Sequence, residues 1–247
     1  MSNYLIGIDD TDNLESRGTG FLSRSMGEAI TSSGLGITGG ITRHQLLFDP
    51  RVPYTSHNSS ACLEVSSTKP NELWDFMVDF LLKSCATGSD CGLCMVEREK
   101  VPQSVIEWGK LAKTDLVNRG MAENLAKAEG IRLIGLTGTH DGIIGAMAGV
   151  GLRAWGNDGR FISLKGKDIR TISGVNSIAN LKKLVEIHRA ITPEGFEIDE
   201  ETHIDLNGWM RPVLKDGLIT IVLNKTTNNE QFQYQLADKE YIKSISN

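Results

Sequence analysis

The sequence lacks any run long and apolar enough to span a bilayer. Its longest weakly charged stretch, Leu133 to Leu152, carries His140, Asp141 and several glycines, which a spanning helix tolerates badly. The first residues, MSNYLIGIDD, lack the basic region and small-residue cleavage pattern of a secretion signal. A cytoplasmic location is therefore expected, with the four cysteines as reduced thiols. Internal repeats and low-complexity linkers are also missing. With 40% hydrophobic and 23% charged residues, the composition excludes a disordered tail, a collagen and a coiled coil. Basic charge is not in excess either. Lys and Arg number 26 against 31 Asp and Glu, a net charge of −5, which argues against a general nucleic-acid coat but not against a local basic face.

Glycine is what the chain has in excess, 26 of 247 residues, above the usual ~7%. This implies many places where the backbone turns tightly or approaches something closely. Acidic charge is clustered. Residues 1–16 hold Asp9, Asp10, Asp12 and Glu15 with no base, and residues 194–205 hold six acids with no Lys or Arg. With these ten acids set aside, the remainder is net basic.

Apolar spacing predicts strands over 4–8, 37–48, 61–65, 92–96 and 131–136. It predicts helices over 21–30, 70–83, 102–128 (one or two), 142–150 and 173–190. Strands over 218–223 and 232–236 are expected to pair across the Asn-rich loop 226–230. Alternating strands and helices indicate a mixed α/β fold, divided into 1–134 and 135–247, with the two regions free to interleave. The length allows a sizeable core in one large or two small domains.

Four segments can carry chemistry. In Gly7-Ile8-Asp9-Asp10-Thr11-Asp12, three carboxylates stand just past a strand end. Carboxylates so close raise one another's pKa unless a cation sits among them, and Mg²⁺, held by one or two carboxylates plus substrate phosphates, is the natural partner. Turn and cap roles for Asp and Thr are the plainer alternative. Next, Arg17-Gly18-Thr19-Gly20 precedes a helix. It suits phosphate at a helix start or a simple N-cap by Thr19, and without a Gly-Lys-Ser/Thr ending it is not a P-loop. The third segment, Gly135 to Gly142, places Gly138, Thr139, His140 and Asp141 ahead of a helix of small residues. This suits phosphate or close packing, with Asp141 as a metal ligand or general base and His140 as an acid/base or a polar loop residue. Last, in Pro53 to Ser60, Asn58 and the hydroxyls can bond a nucleotide or belong to a solvated loop. Cys91-Gly92-Leu93-Cys94 with Cys85 lacks a nearby fourth ligand of zinc spacing, so buried thiols are the alternative to metal.

Taken together, these motifs resemble the archaeal isoleucine-tRNA agmatinylcytidine synthetase family. The likeness rests on the strand ending Gly7–Asp12, on Thr19, on Pro50-Arg51-Val52-Pro53-Tyr54 leading to Asn58-Ser59-Ser60-Ala61, and on Gly138–Ala146. Ser89-Asp90-Cys91-Gly92-Leu93 is similar to a short Asp/Asn-Pro-Gly segment of that family. Gly20 stands where the family tends to have a second Thr, and His140 replaces a Gly.

The resemblance implies a kinase-like domain with a ferredoxin-like domain. In the family an OB-fold and a zinc ribbon follow and help hold tRNA, and the present length accommodates only the first two domains. It further implies ATP and Mg²⁺, activation of a cytidine carbonyl oxygen for attack by agmatine, and a threonine that becomes phosphorylated. On the same basis Asp9, Asp10 and Asp12 hold Mg²⁺ and the ATP phosphates, Thr19 is the phosphorylated residue, and Asp141 is a further acid. Thr11, Gly18, Gly20, Asn58, Gly138, Thr139 and Gly142 are expected around the nucleotide.

The expected protein is a Mg²⁺- and ATP-dependent kinase or ligase/synthetase, with Asp10 or Asp141 orienting an acceptor: a tRNA cytidine, a nucleotide or another small molecule. The rivals are a non-catalytic nucleotide- or RNA-binding module and an accessory subunit of a tRNA-modifying complex. Carboxylates held together without a task destabilise the fold, which favours the enzyme.

Overall fold

The structure is a computed structural model that describes residues 1–52, 58–226 and 231–246. The chain runs β1 (Ser2–Asp9), α1 (Thr19–Ser32), β2 (Ile37–Gln45), β3 (Ser59–Ser67), α2 (Pro70–Ser84), β4 (Gly92–Glu97), α3 (Gln103–Thr114), α4 (Arg119–Glu129), β5 (Arg132–Gly135) and α5 (Ile143–Trp155). It continues with β6 (Arg160–Ser163), β7 (Val175–Ser177), α6 (Ile178–Leu184), β8 (Arg189–Ile191), β9 (His203–Asp205), β10 (Val213–Lys215), β11 (Leu218–Lys225), β12 (Tyr234–Leu236) and α7 (Lys239–Ser246). Among the described residues the strands join in one mixed sheet of order β5-β4-β1-β3-β2-β6-β10-β11-β12-β9-β7, with β8 beside β11. This is the mixed α/β fold that the alternation of elements predicts.

The strand β1 is buried on both faces, so its alternation sorts side chains between two helical layers. Tyr4, Ile6 and Ile8 meet Met26 and Ile30 of α1 and Leu73 and Met77 of α2. Leu5 meets the opposite layer, where Val105 and Trp108 of α3 and Ala146 and Met147 of α5 are buried. Gly7 shares that second face, and a Cβ there would overlap the Ala146 carbonyl. The helix α5 therefore lies directly on β1, and this fixes what Asp9, the next residue on the same face, can touch.

The strand β5 pairs with β4, and α5 packs on β1, β3 and β4. The later strands have their own core, which includes Phe161, Ile178, Leu181, Ile204, Ile219 and Ile221. The two parts meet where β2 pairs with β6.

The helix expected over 173–190 is much shorter. It is replaced by β7, by α6 over Ile178–Leu184, and by the strand β8. Ser177 caps α6 by accepting from the Asn180 N–H at 3.2 Å. The apolar residues Ile178, Leu181, Val185 and Ile187 are buried, as expected, but Leu184 is 43% exposed. The β-branched residues of this stretch favour extended backbone, and pairing of β8 with β11 stabilises it. The pairing of β11 with β12 is as expected, and the tip of their loop, 227–230, lies outside the described residues. The region 102–128 is two helices. No helix among the described residues is long and apolar enough to cross a membrane.

Candidate functional site

A cavity of about 260 Å³ opens at the end of β1, and Asp9, Asp10, Asp12, Asp90 and Asp141 all line it. The alternation of β1 turns Asp9 toward α5, where its carboxylate lies against Gly145 so closely that a Cβ there would overlap it. Asp10 adopts a left-handed backbone, φ 50°, which is sparsely populated for a residue other than glycine but tolerated by Asp. Burial, followed by the charges of Asp10 and Asp12, pushes the Asp9 carboxyl from 3.8 to about 7, although Arg43 pulls it down. Burial also leads for Asp10, and with the charges of Asp90, Asp12 and Asp141 raises it to about 6.

Thr19 is the first residue of α1, and the N-cap is Gly18, which offers no side-chain cap. The N-cap role considered for Thr19 is therefore not the one it fills. Its buried hydroxyl donates to Asp12 Oδ1 at 2.9 Å and accepts from Thr11 Oγ1 at 3.1 Å. Thr11 is buried and positions Thr19 without lining the cavity. Gly18 and Gly20 line a neighbouring cavity that shares Asp12 and Thr19 with this one.

The Gly-rich loop before α5 packs against Asp90. The Thr139 N–H donates to Asp90 Oδ1, and the Gly142 N–H donates to the Asp90 carbonyl at 2.9 Å. Gly138 has φ 58°, and a Cβ there would overlap the Asp90 carboxylate. Gly138 and Thr139 thus grip Asp90, while Asp141 and Gly142 reach the cavity wall. His140 is exposed, with φ 69°. The small residues of α5 serve close packing as well. A Cβ at Gly151 would overlap the Val105 carbonyl of α3.

Asn58 lines the cavity, but its amide donates to the Leu47 carbonyl at 2.8 Å, which makes it a brace for the wall. Residues 53–57 of the same motif lie outside the described residues. Leu46, Leu47, Ala112, Leu116, Val117 and Ile144 add apolar surface to the lining, with Asp115 among them. The N-termini of α1, α4 and α5 all reach the cavity, through Thr19, Asn118 and Gly142. Arg119 also lines it and donates to the Thr139 carbonyl, tying α4 to the Gly-rich loop.

Among the described residues no three His, Cys, Asp or Glu side chains form a ready cage for a metal. The carboxylate oxygens at the cavity are hard donors of the kind that Mg²⁺ takes when it also binds a ligand's phosphates. The cysteines form no cage: Cys91 belongs to the core under α1 and α2, and Cys94 to the core under α5. Burial pushes the Cys62 thiol up to about 12.

Asp90 and Arg119 line this cavity and Arg43 lines the neighbouring one, and the motifs do not single out any of the three. Asp90 stands only in the Ser89–Leu93 segment of the resemblance, and the two arginines reach the site through strand pairing and a helix start that no local pattern announces.

No family model matches the chain. An uncharacterized protein of Methanocaldococcus jannaschii is 28% identical over 154 residues, which are 62% of this chain and 50% of that one. Among solved structures, a complex of TiaS with its isoleucine tRNA and ATP aligns with a TM-score of 0.55 at 24% identity, over 61% of this chain and 36% of TiaS. A complex of TiaS with the same tRNA, AMPCPP and agmatine aligns with a TM-score of 0.54 at 23% identity, and a tRNA fluorescent labeling enzyme with 0.54 at 24%. The chain spans half the length of the Methanocaldococcus protein and about 36% of TiaS. Over about 60% of its length this chain has the fold of TiaS, an isoleucine-tRNA agmatidine synthetase.

Proposed function

We propose that the protein is a Mg²⁺- and ATP-dependent enzyme that activates or phosphorylates an acceptor of the nucleoside class, with the acidic cavity as its nucleotide site. One observation carries the reading. Six carboxylates, those of Asp9, Asp10, Asp12, Asp90, Asp115 and Asp141, and three helix N-termini meet in a single cavity. The carboxylates alone would repel a polyphosphate and the helix ends alone would repel a cation, so the pair suits a metal–phosphate complex and neither component by itself. The fold shared with TiaS, crystallised with ATP, tRNA and agmatine, supports the same conclusion.

The apolar surface from Leu46 to Val117 would receive the base. Asp9 and Asp10 would hold Mg²⁺, with Asp90 and Asp141 flanking them. When bound, the metal would neutralise charge that spreads over the transferred phosphoryl group. Thr19 is the candidate phosphoryl acceptor in the protein, because its hydroxyl already donates to Asp12, which can take the proton. A tRNA cytidine and a smaller nucleoside or metabolite are the candidate final acceptors.

The test is incubation with Mg²⁺ and γ-labelled ATP, for wild type and for Asp9→Asn, Asp12→Asn and Thr19→Ala. Label on the wild-type protein that disappears in Thr19→Ala is the expected result. A wild type that neither binds nor consumes ATP sinks the enzyme reading. Label that survives Thr19→Ala removes only the role of Thr19.

A further inference from the structure

A second cavity, of about 360 Å³, adjoins the first at Asp12, Thr19 and Ser59 and is lined by Arg43, Arg160, Arg211, Lys239 and Lys243 with Trp209. Arg43 and Arg160 are direct partners across the β2–β6 pair, an arrangement in which like charges destabilise the sheet. Among the described residues, Lys243 alone of the five cations has a carboxylate within 4.0 Å, Glu240 at 2.9 Å. Arg43 donates to Ser59 Oγ at 2.9 Å. Arg211 donates to the Trp209 carbonyl at 2.8 Å and lies 4.8 Å from that ring. Burial, then the charge of Arg160, brings Arg43 down to about 10, with Asp9 opposing. Burial, then Arg211, also lowers Arg160. Arg43 and Arg160 lie opposite each other and largely out of water with no carboxylate among the described residues within 4.0 Å, although Asp9 and Glu240 act on them from farther off, and this calls for an anion beside them.

We propose that this cavity seats the acceptor and that the acceptor is a small molecule carrying its own phosphate, held by Arg43, Arg160 and Arg211 with the α7 lysines. The assignment rests on the Mg²⁺-ATP reading of the first cavity. Asp12, Thr19 and Ser59 line both cavities, so a ligand here adjoins the nucleotide at the Thr19 hydroxyl. The cations converge on one half-open cavity, with Arg43 and Arg160 mostly buried at its base, whereas an RNA backbone is gripped by cations spread along an open face. Convergence selects a compact, multiply charged group.

The experiment is calorimetric titration of the whole protein with inorganic pyrophosphate in metal-depleted buffer. Wild type is expected to bind one equivalent. Arg160→Gln, which removes charge-assisted hydrogen bonds, is expected to weaken binding by about tenfold or more. Should that variant fold poorly, Lys239→Ala with Lys243→Ala, on the partly exposed helix α7, is expected to weaken binding by at least about threefold. No binding by wild type, or binding unchanged in both variants, overturns the proposal. So does displacement of pyrophosphate by Mg²⁺ with a non-hydrolysable ATP analogue, which would make the cavity part of the nucleotide site. Tighter binding of a single-stranded RNA 12-mer than of pyrophosphate overturns it in favour of a polynucleotide. If pyrophosphate binds as expected but Mg²⁺-ATP does not bind at all, the anion site stands and only its role as an acceptor site falls with the proposed function.

Discussion

Replacing Asp9 by Asn should make the metal-free protein more stable at pH 8 and less responsive to Mg²⁺. The native carboxyl of Asp9 is raised from 3.8 to about 7, first by burial. Between those values the native state holds a proton that the unfolded chain has released. Stability from this group is therefore complete below about pH 4, declines as pH rises, and is fully lost above about 7. About three pH units at 1.36 kcal/mol each set a ceiling of ~4 kcal/mol. Asp9 keeps part of its surface open to the cavity, and water there screens the charge, so about 2 kcal/mol is the working figure. For a chain of this size that is ~4–8 °C in Tm. Thermal unfolding of Asp9→Asn and wild type at pH 4, 6 and 8, without metal, should show a gap near zero at pH 4 that grows to this size and levels off above 7. Added Mg²⁺ with ATP should then stabilise wild type more than the variant. A gap that is flat with pH refutes the buried, self-repelling acid cluster. Equal stabilisation of both proteins by Mg²⁺-ATP refutes Asp9 as a ligand.

Gly145→Ala should displace the Asp9 carboxylate, since a Cβ at 145 overlaps it. The expected result is a loss of about 1–3 kcal/mol by overpacking, read by denaturant titration, together with loss of Mg²⁺-ATP binding. Thr19→Val keeps the shape but leaves the buried Thr11 hydroxyl without its partner, so about 1–3 kcal/mol should be lost along with any phosphoryl label. Thr19→Ser should restore most of both. His44 is fully buried, with Nδ1 at 2.8 Å from Asp158 and Nε2 at 2.8 Å from Thr42 Oγ1, and burial lowers its pKa. As pH falls through 6.5 the unfolded chain takes up a proton that native His44 refuses, so stability should drop on the acid side. His44→Gln should remove that acid limb from a plot of Tm against pH; an unchanged limb would clear His44 of responsibility. Asp158→Asn, which leaves Lys113 beside a neutral partner in this network, should destabilise by about 3 kcal/mol in chemical unfolding.

How much of this was legible in the sequence depends on how far apart the cooperating residues lie. The acids at 9, 10 and 12 need only their neighbours: an apolar run that ends in carboxylates is a strand that delivers charge to the edge of a sheet. The structure places that cluster in a cavity. The Gly-rich loop at 135–142 is harder, because glycine permits close approach without saying to what. At Gly138 the approaching group is Asp90, 48 residues earlier in the chain, and the loop becomes a clamp on a carboxylate. The 173–190 stretch shows the same ambiguity at the level of an element. Its apolar spacing marks which residues are buried, but only the pairing of β8 with β11 decides that the end is extended.

The basic cavity has no local signature at all. Arg43, Arg160 and Arg211 come from separate segments, and their meeting requires the β2–β6 register and the chain leading into β10. Their burden on stability is itself the clue that a sequence cannot display. An isolated arginine in a strand is ordinary, whereas two arginines opposite each other with no acid in contact are costly unless something anionic completes them. The chain's small net charge hides this arrangement. The deficit of −5 reflects acids gathered in the first cavity and in the 194–205 segment, which leaves the bases free to gather in the cavity that adjoins the first at Thr19. The separation of charge about one hydroxyl, acids toward the proposed metal and bases toward the proposed acceptor, is what a residue positioned between two phosphate-bearing ligands requires.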